Sequence, residues 1–174
     1  WLSEIMLQQT TVKTVIPYFE KFLALWPTVG DLAAAEEESI LQAWAGLGYY
    51  ARARNLHKAA GQIVKCHGGK LPSHPEALRA LPGIGPYTQA AILSLAFQKP
   101  YAVLDGNVER VLTRLCAVDA DVRLPETKRV LQNLISRLLS DHPPGEFNEA
   151  FMELGATVCL PRNPDCVACP LAPV

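Results

Sequence analysis

Three cysteines near the end of this 174-residue sequence have the spacing of metal ligands. Cys159, Cys166 and Cys169 follow the pattern C-x6-C-x2-C. Three thiolates need one more ligand to complete either a tetrahedral zinc site or a [4Fe–4S] cluster. That ligand is Cys66, Cys116 or a residue beyond the end of the sequence. An odd number of cysteines, three of them bunched at one end, indicates metal binding in a reducing compartment and not a disulfide framework.

Two carboxylates lie in settings where their pKa values could differ. Glu4 stands beside Leu2, Ile5 and Met6 in a helical segment. Its side chain is therefore either exposed on the polar side of that helix or partly buried with a raised pKa. Asp105 directly precedes a helical run. Its ordinary role there is that of a helix N-cap, and the helix dipole lowers a carboxyl pKa at such a position.

The stretch 81–88, Leu-Pro-Gly-Ile-Gly-Pro-Tyr-Thr, indicates a tight turn between two helices. Pro-Gly and Gly-Pro are turn dipeptides, and Gly83 and Gly85 allow positive φ angles and close approach to another molecule. Pro86 suits the first turn of the next helix, whose unpaired backbone N–H groups would bind an anion such as phosphate. The alternative is a plain turn that only packs two helices, since short motifs of this kind also occur by chance.

The middle of the chain carries an excess of positive charge. Residues 39–104 hold seven Lys and Arg residues against one acidic residue, although the net charge of the sequence is −1. Tyr49 and Tyr50 come just before Arg52 and Arg54. Aromatic side chains beside basic ones suit a protein that unstacks bases and holds phosphates. The alternative is a helix end with two core tyrosines and a solvated basic face.

Apolar residues recur at helical spacing along the chain and no convincing strand pattern appears, so the sequence predicts an all-α protein without internal repeats. Asp31 is expected to cap a short third helix. The predicted helices cover about 1–10, 11–25, 31–35, 37–45, 50–66, a short segment from Pro75, 88–97, a run from Val108, 126–141 and 146–158.

The composition indicates a globular protein with one large domain or two small ones. Hydrophobic residues make up 49% of the sequence, which is enough for a sizeable core. There is no run of 18 uncharged apolar residues, so no membrane span is expected. Because the sequence opens at Trp1 without Met and stops without a helix stop signal, we expect a fragment of a longer protein.

These motifs resemble a known superfamily. Residues 81–85 resemble the hairpin of the helix-hairpin-helix DNA glycosylases, and Asp105 falls where that superfamily keeps an essential aspartate. The cysteine tail resembles its iron–sulfur loop, C-x6-C-x2-C-x5-C. Within the superfamily, residues 1–10 and 45–56 resemble the MutY family of adenine DNA glycosylases.

The resemblance covers the whole chain and implies an all-α fold with two helical subdomains and a cleft between them. One subdomain would comprise 1–25 and 105–174 and would end in the iron–sulfur loop 159–174. The other, 26–104, would carry the helix-hairpin-helix motif at 75–97. The implied [4Fe–4S] cluster would be bound by a fourth cysteine directly after residue 174 together with Cys159, Cys166 and Cys169.

The resemblance also implies catalytic roles. Glu4 matches the catalytic acid, and Asp105 matches the carboxylate that faces the sugar. Asn107 matches a residue that positions the catalytic groups, and Tyr87 stands where bifunctional relatives such as endonuclease III carry a nucleophilic lysine. Cleavage of an N-glycosidic bond passes through an oxocarbenium-like transition state. One carboxyl must therefore be protonated to release the base, and the other must be ionised to stabilise the sugar.

Contacts with DNA are implied in the same way. Glu149 would contact the extruded adenine. Gln9 and Tyr49 would be inserted into the base stack. The hairpin residues Leu81, Gly83 and Gly85 would hold the DNA backbone.

The implied function is base excision repair by a monofunctional adenine DNA glycosylase that acts on double-stranded DNA with adenine opposite 8-oxoguanine or guanine. We expect a monomer without a membrane partner. Its location would be the bacterial cytoplasm and nucleoid, or the eukaryotic nucleus or mitochondrion. A mismatch thymine glycosylase, which also carries Tyr at the position of Tyr87, is an alternative. A non-catalytic DNA-binding module is another, although the presence of both Glu4 and Asp105 argues against it.

Overall fold

The computed structural model describes residues 1–172, and all regular structure within them is helical, as predicted. Positions 173 and 174 of the predicted iron–sulfur loop lie outside the described residues. The ten helices of the described part are α1 Leu2–Met6, α2 Val12–Leu25, α3 Val29–Ala34, α4 Glu37–Trp44, α5 Ala51–His67, α6 Pro75–Arg79, α7 Pro86–Leu95, α8 Gly106–Leu115, α9 Pro125–Leu139 and α10 Pro144–Thr157.

Contacts divide the chain into two compact units, Trp1–Gln89 and a second one that begins at Ala90. Helices α1 and α2 contact α4 and α5 within the first unit. This division differs from the predicted one, in which residues 1–25 belong with 105–174, and that grouping stays a prediction.

The first unit is built around α5, which packs against α1, α3 and α4. Its apolar face is fully buried, as is the Trp44 ring at the end of α4. The rings of Phe22 and Trp44 meet edge to face with centroids 5.7 Å apart, a geometry that aromatic pairs favour. The core of this unit therefore fixes α1, which carries Glu4, against α5.

The second unit is built around α8, which packs against α9 and α10. Its apolar core contains Val108 and Leu112 of α8 together with Leu131, Ile135 and Leu139 of α9. Because α8 lies in contact with both α9 and α10, its N-cap residue Asp105 is attached to the central helix of this core.

The predicted end of the first helix and the predicted cap of the third helix were wrong. The first helix ends at Met6 instead of residue 10, because Gln9 has a left-handed φ of 57° that no α-helix can continue. Asp31 does not cap the third helix. Thr28 is the N-cap, and Asp31 completes a capping box from the third helical position, with its carboxylate accepting from the Thr28 N–H at 3.0 Å.

No helix within residues 1–172 is long and apolar enough to cross a membrane.

Candidate functional site

Glu4 lies in the first turn of α1 and is partly buried. Burial raises the pKa of the Glu4 carboxyl above its ordinary value. Of the two sequence-based alternatives for this side chain, exposed or partly buried with a raised pKa, the second is therefore correct. A carboxyl in this setting keeps its proton to a higher pH than an ordinary glutamate does.

Asp105 is the N-cap of α8, as its position in the sequence predicts. Its Oδ1 accepts a hydrogen bond from the Val108 N–H at 2.7 Å, and its Oδ2 accepts one from the Asn107 side-chain amide at 3.3 Å. The carboxyl group is thus held by donors on both oxygens. Asn107 therefore contacts Asp105 directly, and its predicted positioning role stays a prediction.

Arg110, one turn further along α8, extends this arrangement to the end of α10. Its Nη2 donates to the Asn107 Oδ1 at 2.9 Å and to the Gly155 carbonyl at 2.6 Å, and its Nε donates to the Cys159 carbonyl at 2.8 Å. A continuous chain of hydrogen bonds therefore links Asp105 to the first cysteine of the C-terminal loop. No local pattern in the sequence singles out Arg110, because its partners lie up to 49 positions away.

The three C-terminal cysteines line one pocket of about 180 Å³. Within residues 1–172 no group of three or more Cys, His, Asp or Glu side chains lies in an arrangement ready to hold a metal ion. Arg114 Nη1 donates to the Cys159 sulfur at 3.3 Å, and the same guanidinium donates to the carbonyls of Leu160 and Pro161. Soft thiol donors around one pocket fit three of the four ligands of a [4Fe–4S] cluster, and Arg114 supplies a compensating positive charge.

The hairpin between α6 and α7 has the predicted turn. Gly83 has a φ of 82°, which favours glycine, and a Cβ there would meet the Asn55 Cβ at 3.1 Å. Gly85 has no positive φ, contrary to the symmetrical role expected for the two glycines. Apart from its two chain neighbours, however, no residue comes within 4 Å of the position of its absent Cβ. The guanidinium of Arg79 donates to the Ile84 carbonyl and so fixes the turn.

Leu81 is buried with 3% of its surface exposed. Any contact of this residue with DNA must therefore come from its backbone, since the side chain belongs to the core of the first unit. Tyr87, by contrast, is exposed at the second position of α7, directly after the hairpin.

Gln9 and Tyr49, the two residues predicted to enter the base stack, are both exposed and both have left-handed backbones, with φ values of 57° and 49°. Tyr49 shows 62% of its surface and Tyr50 shows 41%. The alternative of two core tyrosines is therefore wrong. Non-glycine residues in this conformation are uncommon and cluster at functional sites.

Arg52 belongs to the basic stretch but does not contribute to an exposed basic surface. It is buried, with 8% of its surface exposed, and its guanidinium donates to backbone carbonyls of the first unit. Arg54 is exposed and pairs with Glu37 at 3.5 Å, so it stays available to solvent. The number of basic residues in a stretch does not tell which arginines are buried and which are exposed.

Glu149 is exposed on α10. The adjacent Asn148 is buried and donates to the Tyr101 carbonyl at 2.8 Å while accepting from the Val103 N–H at 3.0 Å. Asn148 thereby fixes the segment that leads into Asp105. No signal in the sequence singled it out.

The predicted site residues are distributed over both units. The first unit contains Glu4, Gln9, Tyr49, Leu81, Gly83, Gly85 and Tyr87. The second contains Asp105, Asn107, Glu149 and the three C-terminal cysteines. Within the second unit the structure joins Asp105 to Asn107 and collects the cysteines around one pocket.

The chain is similar to known DNA repair proteins. A profile of the HhH-GPD superfamily of base excision DNA repair proteins matches residues 2–139. The sequence is 48% identical to human adenine DNA glycosylase over 172 residues, which cover 98% of this chain and 32% of the human protein. The chain thus spans about a third of the length of this relative.

Solved structures with the same fold include a thermostable thymine-DNA glycosylase, with a TM-score of 0.87 and 29% identity over 98% of this chain and 78% of that one. A non-covalent complex of endonuclease III with DNA superposes with a TM-score of 0.78 and 25% identity, covering 97% of this chain and 78% of its own.

Proposed function

This chain belongs to the HhH-GPD superfamily of base excision DNA repair proteins, and we propose that the protein is a monofunctional adenine DNA glycosylase. It hydrolyses the N-glycosidic bond of adenine mispaired with 8-oxoguanine or guanine in double-stranded DNA. The high identity to an adenine DNA glycosylase over nearly the whole chain supports this activity. An enzyme of this kind acts where DNA is repaired, inside the cell.

The partly buried Glu4 is the observation that carries the proposal. An ordinary glutamate, with a pKa of about 4.3, is ionised near neutral pH and has no proton to give. Because burial raises the pKa of Glu4, a larger fraction of this carboxyl is protonated at the working pH. The proton passes from Glu4 to the departing adenine, which then leaves as a neutral base.

Asp105 supplies the second carboxylate of the reaction. Loss of the base leaves positive charge on the sugar, and a fixed negative charge opposite it stabilises the oxocarbenium-like transition state. The hydrogen bonds from Val108 and Asn107 hold Asp105 in one orientation, so little reorganisation accompanies the reaction. Water then attacks the sugar and completes the hydrolysis.

The exposed Gln9 and Tyr49 serve to open the duplex. Extrusion of a base costs a few kcal/mol of stacking and pairing, and less for a mispaired base. Side chains that occupy the vacated space offset this cost. The open space beside Gly85 allows a phosphate to approach the backbone at the start of α7, and Glu149 contacts the extruded adenine.

Cys159, Cys166 and Cys169 would hold a [4Fe–4S] cluster together with a cysteine that follows residue 174. The bound cluster would supply a structural anchor for the loop 159–172 and no catalytic step. The hydrogen bonds of Arg110 and Arg114 to the carbonyls of this loop connect its position to α8.

A mismatch thymine glycosylase is the second candidate, because a thymine-DNA glycosylase shares the fold and 29% of the sequence. The paired glutamines Gln8 and Gln9 favour the adenine enzyme, since they belong to the motif that resembles that family.

The experiment that tests the proposal uses the full-length protein and three duplexes, with adenine opposite 8-oxoguanine, adenine opposite guanine, and thymine opposite guanine. Alkali cleaves any abasic site after incubation. We expect cleavage at adenine in the first two duplexes. Cleavage only at thymine would assign the second candidate, and binding to all three without cleavage would assign a DNA-binding module.

A further inference from the structure

Arg52, in the first turn of α5, joins two separate segments of the first unit. Its Nη1 donates to the carbonyls of Ile5 at 3.2 Å and Met6 at 2.7 Å and also to the Gln8 carbonyl. These carbonyls lie at the end of α1 and in the turn after it, where they have no later helical N–H to accept from. One side chain thus terminates the helix that carries Glu4.

The other amino group of Arg52 binds the loop between α4 and α5. Its Nη2 donates to the carbonyls of Leu47 at 3.1 Å and Gly48 at 3.4 Å in that loop. It also donates to the hydroxyl of Thr10, in the segment after α1, at 3.0 Å. The guanidinium is planar and rigid, so the two amino groups fix the distance between the two segments that they bind.

Each of these segments presents one of the residues predicted to enter the base stack. Gln9 follows the Gln8 carbonyl that Arg52 binds, and Tyr49 follows the Gly48 carbonyl. Both residues are exposed and left-handed. Such a conformation is strained and persists only where the surrounding structure enforces it.

The Tyr49 ring also touches Arg52. The guanidinium carbon lies 5.4 Å from the Tyr49 ring centroid and 5.4 Å from the Trp44 ring centroid, within the range of cation–π attraction. Trp44 donates to the Gly48 carbonyl at 3.0 Å and so fixes the loop from its other side. An exposed tyrosine ring is therefore oriented by a buried cation.

We propose that Arg52 is a positioning residue that holds Gln9 and Tyr49 at a fixed separation before DNA binds, so that both enter the base stack together. The inference rests on the proposed function, because it takes these two side chains as the ones that fill the space of the extruded base. A side chain that is already ordered loses less conformational entropy on binding, so more of the binding free energy is available to open the duplex.

A lysine cannot replace this arginine. Its ammonium group has three donors at a single point, whereas Arg52 reaches six acceptors with two amino groups that diverge from one plane. Arg52→Lys therefore keeps the charge and loses the link between the two segments. Arg52→Met loses both.

The test places 2-aminopurine opposite 8-oxoguanine and uses full-length protein that carries Glu4→Gln, so that excision does not interfere. Unstacking of the probe raises its fluorescence, and saturating protein removes any effect of affinity. We expect Arg52→Lys in this background to reduce the fluorescence rise at least threefold, while affinity for an undamaged duplex stays within about twofold. Arg123→Lys is the matched control, since Arg123 is exposed and forms its ion pair with Asp121, two positions earlier in the chain.

A second measurement separates positioning from a general loss of stability. Single-turnover excision at saturating protein should fall about 10- to 100-fold in Arg52→Lys, as expected for a small misplacement of groups near the reaction. When Tyr49→Ala is already present, adding Arg52→Lys should lower the excision rate much less, because Arg52 then has no ring to orient. Equal costs in both backgrounds, or an unchanged fluorescence rise, would overturn the inference.

If Arg52→Met does not fold, Arg52→Lys and the Tyr49→Ala comparison still decide the question. Failure of the proposed function is distinct: the parent protein would then neither excise adenine nor raise the fluorescence of the probe. Excision by the parent with unstacking that does not depend on Arg52 would leave the function intact and refute only the positioning role.

Discussion

Gly155 of α10 lies directly against Asn107 of α8. A Cβ atom on Gly155 would meet the Asn107 Cβ at 2.6 Å and the Asn107 carbonyl oxygen at 3.0 Å. Real Cβ atoms do not approach other atoms this closely in packed interiors. The absence of a side chain at position 155 is thus what allows α10 to pack next to the residue that donates to Asp105.

Gly155→Ala should displace Asn107 and with it the carboxyl group of Asp105. We expect the free energy of unfolding to fall by about 1–3 kcal/mol, as for other overpacked sites, and excision to fall as well. Gly61→Ala is the control, because nothing lies within 4 Å of its missing Cβ in α5 and its φ is not left-handed. That variant should gain about 0.4–1 kcal/mol in urea unfolding. Equal stability of the two variants would contradict the packing argument.

Glu4→Gln should abolish excision while duplex binding stays nearly normal. An amide has almost the size of the carboxyl group but cannot donate the proton to the leaving base, and general acid catalysis contributes about 10²–10⁴-fold. The measurement is single-turnover cleavage of the duplex with adenine opposite 8-oxoguanine. Glu20→Gln, at an exposed position of α2, is the matched control. Activity within a few fold of the parent would exclude Glu4 as the acid.

The raised pKa of Glu4 predicts that the free energy of unfolding depends on pH. Burial raises the pKa of Glu4 in the folded protein above its value of about 4.3 in the unfolded chain. The stabilisation by the buried, protonated group is then complete below about pH 4 and is lost as the pH rises through the raised pKa. Urea unfolding should therefore show Glu4→Gln gaining stability relative to the parent as the pH rises from 4 to 8. A difference that does not change with pH would contradict the raised pKa.

The sequence predicted the elements of this protein better than their connections. Asp105 was recognisable as an N-cap because capping depends on residues three positions away, and the helical periodicity of α5 and α8 is local in the same sense. Arg52 could not be recognised as a structural residue, because its partners in residues 5–10 lie at least 42 positions away. The helix at 1–10 was predicted too long for the same reason, since the carbonyls that end it are bound by that distant arginine.

Asp105→Asn separates the two roles of this residue. Asparagine caps a helix about as well as aspartate, so the free energy of unfolding should change by less than about 0.5 kcal/mol. Excision should nevertheless be lost, because the negative charge that faces the sugar is gone. Asp105→Ala, which removes the cap as well, should cost about 1 kcal/mol more in urea unfolding. Retained turnover in the Asn variant would leave Asp105 with the capping role alone.

The full-length protein should contain iron and show the broad visible absorption of an iron–sulfur cluster. Cys166→Ser should lower the iron content, because it removes one of the thiols that line the pocket beside α8. Cys66→Ser is the control, since Cys66 is exposed on α5 in the other unit. Metal analysis that finds zinc without iron would refute the cluster but not the glycosylase activity.

Tyr87 determines whether the enzyme can also cut the DNA strand. A lyase needs an amine that attacks the sugar carbon and forms a Schiff base, and the phenol of Tyr87 cannot form an imine. The ring is exposed at the start of α7, next to the hairpin, where it can pack beside an extruded nucleotide. We therefore expect an intact abasic strand until alkali is added and no efficient trapping of a protein–DNA adduct by borohydride.

Tyr87→Lys should introduce trapping, and Tyr87→Ala should lose excision while folding normally. A strong adduct with the parent protein would overturn the monofunctional assignment and would point to another amine, with Lys13 and Lys21 of α2 as the first to replace.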